Sequence, residues 1–309
     1  MFSHGKLVTV LQYFTDKVED YWHILYPLES SKNLKKDKFL YFYDISKKVM
    51  LYKGQFSDEG IYLFLGYDGK YHMHALEIAQ YSLACWIAWR KTESEIWLKK
   101  ALKHCDWLLK NQEKDGSWKI KHKNPKYKDM NSPWVSALAQ GLAISSLIRA
   151  YYYTNENKYL YSAIKACEFL EVGINSNGVK RNFVKKGIKG FVYEEYPTKK
   201  LNGVLNGYIS AVLGICELSK VDSGFTRLFD ENINNLLNIL SLYDLGYWSL
   251  YSLDGNVASG FYHRLVVKQL KVLREFNDEF DVYYSKFKSY QENKLYALRA
   301  LMNKIKAKI

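Results

Sequence analysis

Proline is scarce in this chain, with 4 in 309 residues, and so is cysteine, also with 4. The cysteines are Cys85, Cys105, Cys167 and Cys216. Each lies inside an apolar helical pattern, and no two stand at metal-ligand spacing. That argues against a disulfide framework or a structural zinc site and for buried free thiols in a reducing compartment. No apolar run approaches the length of a membrane-spanning helix. The stretch from Met1 to Thr9 carries His4 and Lys6 but no apolar core of a secretory signal. Glycine-rich phosphate loops, nucleotide fingerprints and a credible Ser-His-Asp order are all missing. His72 and His74 form an H-x-H pair without a third ligand at useful spacing, so no metal site is expected. The expected location is the cytoplasm, with peripheral attachment at the inner membrane face as a variant of it.

What the chain has in quantity is aromatic and basic side chains. There are 27 tyrosines, and the formal net charge is +13. Lysines cluster at Lys32 to Lys38, Lys119 to Lys128, Lys180 to Lys189 and Lys199-Lys200. Such a balance suits a polyanionic partner: nucleic acid, an anionic membrane surface or an acidic polysaccharide. A lysine-rich surface that merely solvates the protein is the alternative.

The hydrophobic pattern sets the fold class. Val8 to Tyr26 is irregularly helical. Phe39 to Tyr43 and Val49 to Tyr52, flanking Asp44 to Lys48, read as a hairpin, and Gly60 to Gly66 reads as a further strand. From Ala75 onwards helices dominate. Ala75 to Trp89, the run from Ser132-Pro133 to Ile148, and Val204 to Leu218 are almost free of charge. Serine followed by proline gives the second of these its start, and Asn202 is the expected cap of the third. Glu93 to Gln112, Glu156 to Glu171 and Phe225 to Leu242 are amphipathic, as are Tyr262 to Phe276 and Glu279 to Lys306. Helices apolar on every side must be enclosed, and amphipathic ones cover them. The inner starts fall near residues 75, 133, 204 and 261, at intervals of about sixty residues. The pattern predicts a mainly α protein: an α/α toroid, or incomplete barrel, of about four helical hairpins. A small β-rich N-terminal cap precedes it, dividing the chain into residues 1–74 and 75–309. The loops entering the inner helices then share one face, where helix dipoles favour anions and three of the lysine clusters gather.

Chemistry-bearing residues on that face are Tyr193, Glu194, Glu195, Tyr196, Tyr243, Asp244, Tyr247, Tyr251, Tyr262 and His263. Glu194 and Glu195 are adjacent and cannot both face one bond. A glycosidase would pair Glu195 with a carboxylate from another element, Asp244 or Asp254. The tyrosines suit proton transfer at carbon. A phenol titrates near ~10 in water, and nearby cations would bring it down into a useful range.

Several segments together resemble the D-glucuronyl C5-epimerase family. They are Ile78-Ala79-Gln80-Tyr81, Ala137 to Tyr151, Glu194-Glu195-Tyr196-Pro197-Thr198, Val204-Leu205-Asn206-Gly207, Leu242-Tyr243-Asp244-x-Gly246, Tyr251, and Tyr262-His263. They keep the family's order over about residues 60 to 275. The resemblance implies an α/α toroid that converts D-glucuronate to L-iduronate within a glycan, without a cofactor. One group removes the proton at carbon 5 and another returns one to the opposite face. By position, Glu195 and Tyr262 correspond to those two groups, with Tyr196 and Tyr251 completing the catalytic set. Substrate contacts are expected from Arg181, Tyr193, Asn206, His263 and Arg264. Two positions depart from the pattern: Asp254 stands where the family tends to have arginine, and Val266 where it tends to have a second histidine. The first removes a cation from a site that receives a carboxylate, so Arg181, Arg264 or a lysine must substitute, or the chemistry differs. The expected partner is an anionic uronate-containing polysaccharide or its lipid-linked precursor. No nucleic acid is expected, since no reader module is present, and a homodimer is compatible with the pattern. The alternatives are a uronate lyase or glycoside hydrolase on the same toroid, and a catalytically impaired glycan-binding protein.

Overall fold

The computed structural model describes residues 4–15, 26–27, 37–130 and 132–307. Most of the expected Val8–Tyr26 segment and the lysines at 32, 35 and 36 lie outside them. The chain begins with α1 (His4–Leu11), β1 (Tyr26–Pro27), β2 (Tyr43–Asp44), α2 (Lys47–Met50), β3 (Phe64–Leu65) and β4 (Tyr71–His72). Four helical hairpins follow. Their inner members are α3 (Ala75–Thr92), α5 (Ala137–Thr154), α7 (Leu205–Ser219) and α9 (Gly260–Leu273). Their outer members are α4 (Glu95–Lys110), α6 (Asn157–Leu170), α8 (Thr226–Ile239) and α10 (Phe280–Glu292). A last helix, α11 (Lys294–Lys306), packs on α10. β5 (Lys180–Lys185) and β6 (Ile188–Tyr193) form an antiparallel hairpin between α6 and α7.

The architecture is the expected incomplete α/α toroid. α3, α5, α7 and α9 pack side by side in that order, each outer helix backing its own inner one. Side chains of the inner helices are buried nearly all round, including Trp86, Leu147 and Leu213. Each such aliphatic side chain contributes about 1.5–3 kcal/mol. α5 and α7 touch at glycines: a Cβ on Gly141 would stand 2.5 Å from the Ser210 carbonyl, and one on Gly214 would stand 2.6 Å from the Gly141 carbonyl. All four cysteines are buried and free. No described helix is long and apolar enough to cross a membrane.

Four local expectations need correction. Residues 39–52 form no hairpin. Tyr43–Asp44 pairs with Tyr26–Pro27 instead, and Lys47–Met50 is a helical turn. The aromatic run 39–43 is apolar because it enters the toroid, not because it alternates across a sheet. Phe39 packs on Trp86 and Trp89, and Phe42 packs on Phe276. The inner helix after Ser132-Pro133 starts only at Ala137, because Trp134 first pairs through both backbone groups with Ile120. Val204, not Asn202, caps α7, and the Asn202 amide donates to Asp254 instead. The amphipathic run from Glu279 to Lys306 is broken at Asn293, whose side chain accepts from the amides of Leu295 and Tyr296 and so starts α11.

The two ends of the toroid differ. At the C-terminal ends of the inner helices the ring is closed by Arg149 and Glu217. Arg149 Nη2 lies 2.7 Å from Glu217 Oε1 and Nη1 lies 3.0 Å from Oε2. The same guanidinium donates to the carbonyls of Phe39, Leu40 and Ser145. At the N-terminal ends the ring is open, and a cavity sits there.

Candidate active site

A cavity of about 420 Å³ is lined by the first turns of all four inner helices: Glu77 and Gln80 from α3, Leu138 and Leu142 from α5, Asn206 and Ser210 from α7, and Tyr262 and Leu265 from α9. Tyr43 and Ile45 of the threading segment, the loop residues Glu195 and Tyr196, and Phe64, His74, His122 and Trp134 are also part of its wall.

The stretch carrying Glu195 is held from both sides. Its preceding residue donates its amide to the Val179 carbonyl (2.8 Å) and accepts at its own carbonyl from the first amide of α5, that of Ala137 (3.0 Å). After the loop, Leu205, the first residue of α7, donates to the Tyr251 carbonyl (3.0 Å). One short strap therefore joins two inner helices and the segment carrying Tyr251.

Within that strap the two adjacent glutamates part ways. The Glu194 carboxylate is fully enclosed and fully used: Arg181 Nε donates at 2.7 Å, the Gly203 amide at 2.7 Å and the Asn202 amide at 3.1 Å. Burial lifts its pKa, and these donors hold the rise in check. Glu195 is only 3% exposed, and its Oε2 has no hydrogen-bond partner. Burial raises its carboxyl to about 7, with the Tyr196 hydroxyl and the more distant Lys126 opposing the rise. Glu195 presses against the first turn of α7 so closely that a Cβ on Gly207 would stand 2.4 Å from Oε2. This is why Asn206 must be followed by glycine.

The tyrosines behave opposite to the expectation that surrounding cations would lower their pKa values. Burial, then the neighbouring Glu195, holds Tyr196, Tyr251 and Tyr262 above the ordinary phenol value. They are neutral proton donors near neutrality. Tyr196 stacks on Tyr127 (ring centroids 4.3 Å apart) and leans on Trp134 (5.7 Å). Tyr251 packs against Tyr262 at 4.7 Å. Among the described residues no lysine or arginine lines the cavity. Lys48 lies behind the wall, 2.7 Å from Glu77 Oε2 and bonded to Gln80. This pairing neutralises Glu77 and leaves Glu195 as the unbalanced carboxyl.

Of the residues expected at the site, Glu195, Tyr196, Tyr262 and Asn206 line the cavity, with Tyr251 against Tyr262. The Asn206 Oδ1 is buried without a partner. The structure sets four others apart from this cavity. Arg181 clamps the strap through Glu194 and the Thr198 carbonyl. The Tyr193 hydroxyl donates to Glu171 and accepts from Asn232. His263 stacks on Trp248 at 3.8 Å and binds Ser249 Oγ (2.7 Å) and the Phe287 carbonyl (3.0 Å); burial brings it down to about 3, so it is neutral. Arg264 Nε donates to the Gln12 carbonyl (3.0 Å). Asp254 does not line the cavity either: it accepts from Ser252 and Asn256 within its own turn and from the Asn202 side chain of the loop before α7.

Sequence reasoning missed His74, His122, Trp134, Glu77 and Tyr127. His74 was visible only as half of an H-x-H pair. Its ring lies 4.8 Å from His122, its buried Nδ1 has no partner, and burial holds it neutral. No group of His, Cys, Asp and Glu among the described residues is arranged to hold a metal.

Residues 110–292 match the family described as D-glucuronyl C5-epimerase C-terminus, which is more than half of the chain. The chain belongs to the D-glucuronyl C5-epimerase family. It is 32% identical over 190 residues to the D-glucuronyl C5-epimerase of Caenorhabditis elegans, covering 54% of this chain and 30% of that protein. The uncharacterized protein MJ1128 of Methanocaldococcus jannaschii is 26% identical over 208 residues, 63% of this chain and 67% of that one. A family 76 glycoside hydrolase from a bovine Bacteroides thetaiotaomicron strain superposes with a TM-score of 0.43 at 13% identity, over 74% of this chain and 44% of that one. The chain thus spans less than a third of the C. elegans epimerase. The matched family segment includes the strap, α7 and α9, and with them Glu195, Tyr196, Asn206, Tyr251 and Tyr262. Glu77, His74 and the threading segment lie before it. In this epimerase-family member the cavity is therefore built partly from residues outside the matched region.

Proposed function

We propose that this chain is a polysaccharide uronate 5-epimerase, converting D-glucuronate to L-iduronate within a glycan or its lipid-linked precursor. The observation that carries this reading is Glu195: a buried carboxyl with a pKa of about 7 and an unpartnered oxygen, facing the same cavity as the protonated phenol of Tyr262. Glu195 takes the proton from carbon 5, and the electron pair moves into the adjacent carboxylate. Tyr262 donates its phenolic proton to the opposite face, which inverts the centre. Solvent returns a proton to Tyr262 and removes one from Glu195, so no redox partner is needed. A base near 7 and a donor well above it are the separated pair that such a transfer requires. Tyr196, with neutral His74 and Asn206, supplies the hydrogen-bonding wall for the substrate carboxylate. The site of action is the cytoplasm or the inner membrane face.

The test is product analysis by nuclear magnetic resonance after incubation with glucuronate polymers. Iduronate signals are expected, and Tyr262→Phe should abolish them while the thermal melt stays unchanged. Iduronate formation at the wild-type rate in that variant removes Tyr262 from the mechanism. A second reading rests on a specific feature: two carboxyls, Glu77 and Glu195, face one cavity that no described lysine or arginine lines. That suits a lyase or a hydrolase. An ultraviolet-absorbing unsaturated end group, or shortened chains without iduronate, would establish it.

A further inference from the structure

A second cavity, of about 530 Å³, lies on the other side of Trp134. The strap divides the two spaces: Glu195 and Tyr196 face the first, and Pro197, Thr198 and Lys199 face the second. Trp134 lines both. We infer that this second cavity is a subsite for another uronate of the same glycan chain, a reading that rests on the uronate-polymer function proposed above.

Charge and adjacency support this subsite. The first cavity has no described lysine or arginine on its wall, whereas Lys119, Arg181 and Lys199 line the second. Their charges are not equally spoken for. Arg181 is held by Glu194 at 2.7 Å. Lys119 has only a loose contact with Asp115, at 3.6 Å. Asp129, the acid of this cavity, accepts at Oδ2 from the backbone amide of Lys199 (2.9 Å), and the Lys199 ammonium makes no ion pair among the described residues. Lys119 and Lys199 are thus available to an anion. Asn175 and Asn177 add neutral hydrogen-bonding groups. Trp134 is fixed by its Nε1 donating to the His122 carbonyl (2.9 Å), so its indole is a rigid partition against which a pyranose can lie. A sugar polymer held at Glu195 continues beyond the reacting ring, and this neighbouring space offers its next carboxylate the cations that the first cavity lacks. The arrangement separates two tasks: the neutral cavity leaves Glu195 basic, and the cationic one grips the chain.

The test uses size-defined oligosaccharides of unsulfated heparosan, from disaccharide to octasaccharide. Affinity is read by titration calorimetry, and deuterium incorporation is read in the same samples in heavy water. Wild-type affinity should rise in a step once the oligosaccharide reaches the second cavity. Lys199→Ala should weaken the long ligands by about fivefold, and Lys119→Ala with Lys199→Ala by about tenfold, leaving the short ones unchanged. Added salt should shrink the step. A smooth rise with no step, no binding at any length, or an equal loss for short and long ligands would overturn the subsite. Deuterium at carbon 5 without a step keeps the epimerase and discards the subsite. A step without deuterium keeps the subsite and discards the epimerase.

Discussion

The two ends of the toroid bury charge in opposite ways. At the closed end the charges of Arg149 and Glu217 meet in a two-point pair, and backbone carbonyls take the remaining guanidinium hydrogens. At the open end Glu195 keeps an oxygen without a partner, beside an unpartnered His74 Nδ1 and Asn206 Oδ1. An unsatisfied buried polar atom costs roughly 1–3 kcal/mol. Tyr41 Oη and Ser145 Oγ, beside Arg149, are unpartnered too, but the three at the open end line a single cavity, where a ligand can supply the missing bonds. The closed end pairs its charges; the open end leaves a buried carboxyl facing a cavity.

Breaking the paired end should have the largest effect on stability. Arg149→Ala strands Glu217 in the core and should cost about 3–5 kcal/mol in chemical denaturation. A variant with wild-type stability would show that the closed end is not what holds the ring. Breaking the unpaired end should do the reverse. Glu195→Gln should slow carbon-5 exchange by about a thousandfold without destabilising the protein.

The pH dependence of stability sharpens the same contrast. Because the folded Glu195 carboxyl sits near 7 against an ordinary value of 4.5, the folded state holds its proton more tightly than the unfolded chain does. Its contribution is therefore favourable at low pH and is lost as pH rises from about 4.5 to about 7, by roughly 3 kcal/mol. Denaturation midpoints of wild type and Glu195→Gln should diverge across that window, with the variant the more stable at pH 8. Parallel curves would mean that Glu195 is not a buried, raised carboxyl.

Smaller effects test the strap. Gly207→Ala forces a methyl to within 2.4 Å of Glu195 Oε2, and moving the base should lower turnover by about a hundredfold with little change in glycan affinity. Unchanged turnover would place the catalytic carboxyl elsewhere. Tyr193→Phe, which loses bonds to Glu171 and Asn232, should cost about 1 kcal/mol of stability and leave turnover unaltered. A rise in KM instead would return Tyr193 to the substrate.

Much of the toroid was legible because its inner helices are apolar on every side, as in the uncharged run from Val204 to Cys216. A stripe alone would not distinguish an inner helix from an outer one. The strands were read poorly. The hairpin of β5 and β6 hid in a lysine-rich stretch, although Lys186-Gly187, both at positive φ, supply its turn. The aromatic run at 39–43 looked like a strand because burial inside a ring and burial in a sheet use the same residues. For the site, chain position located the loop but not the direction of each side chain. Glu194 and Glu195 are consecutive, and only three-dimensional partners distinguish the clamped carboxylate from the open one. Arg181, Tyr193, His263 and Arg264 have the right chemistry close in sequence, yet each has partners within the fold. Trp134 and Tyr127 carried no local signal, since 27 tyrosines and 8 tryptophans make single aromatics uninformative.

The most direct test of the central claim is solvent exchange. Wild type and Glu195→Gln are incubated with an unsulfated glucuronate polymer in heavy water, and carbon 5 is followed by nuclear magnetic resonance. Deuterium at carbon 5 with accompanying iduronate in the wild type, and neither in the variant, is the predicted result. Absence of exchange in the wild type, or exchange at the wild-type rate in Glu195→Gln, would contradict it.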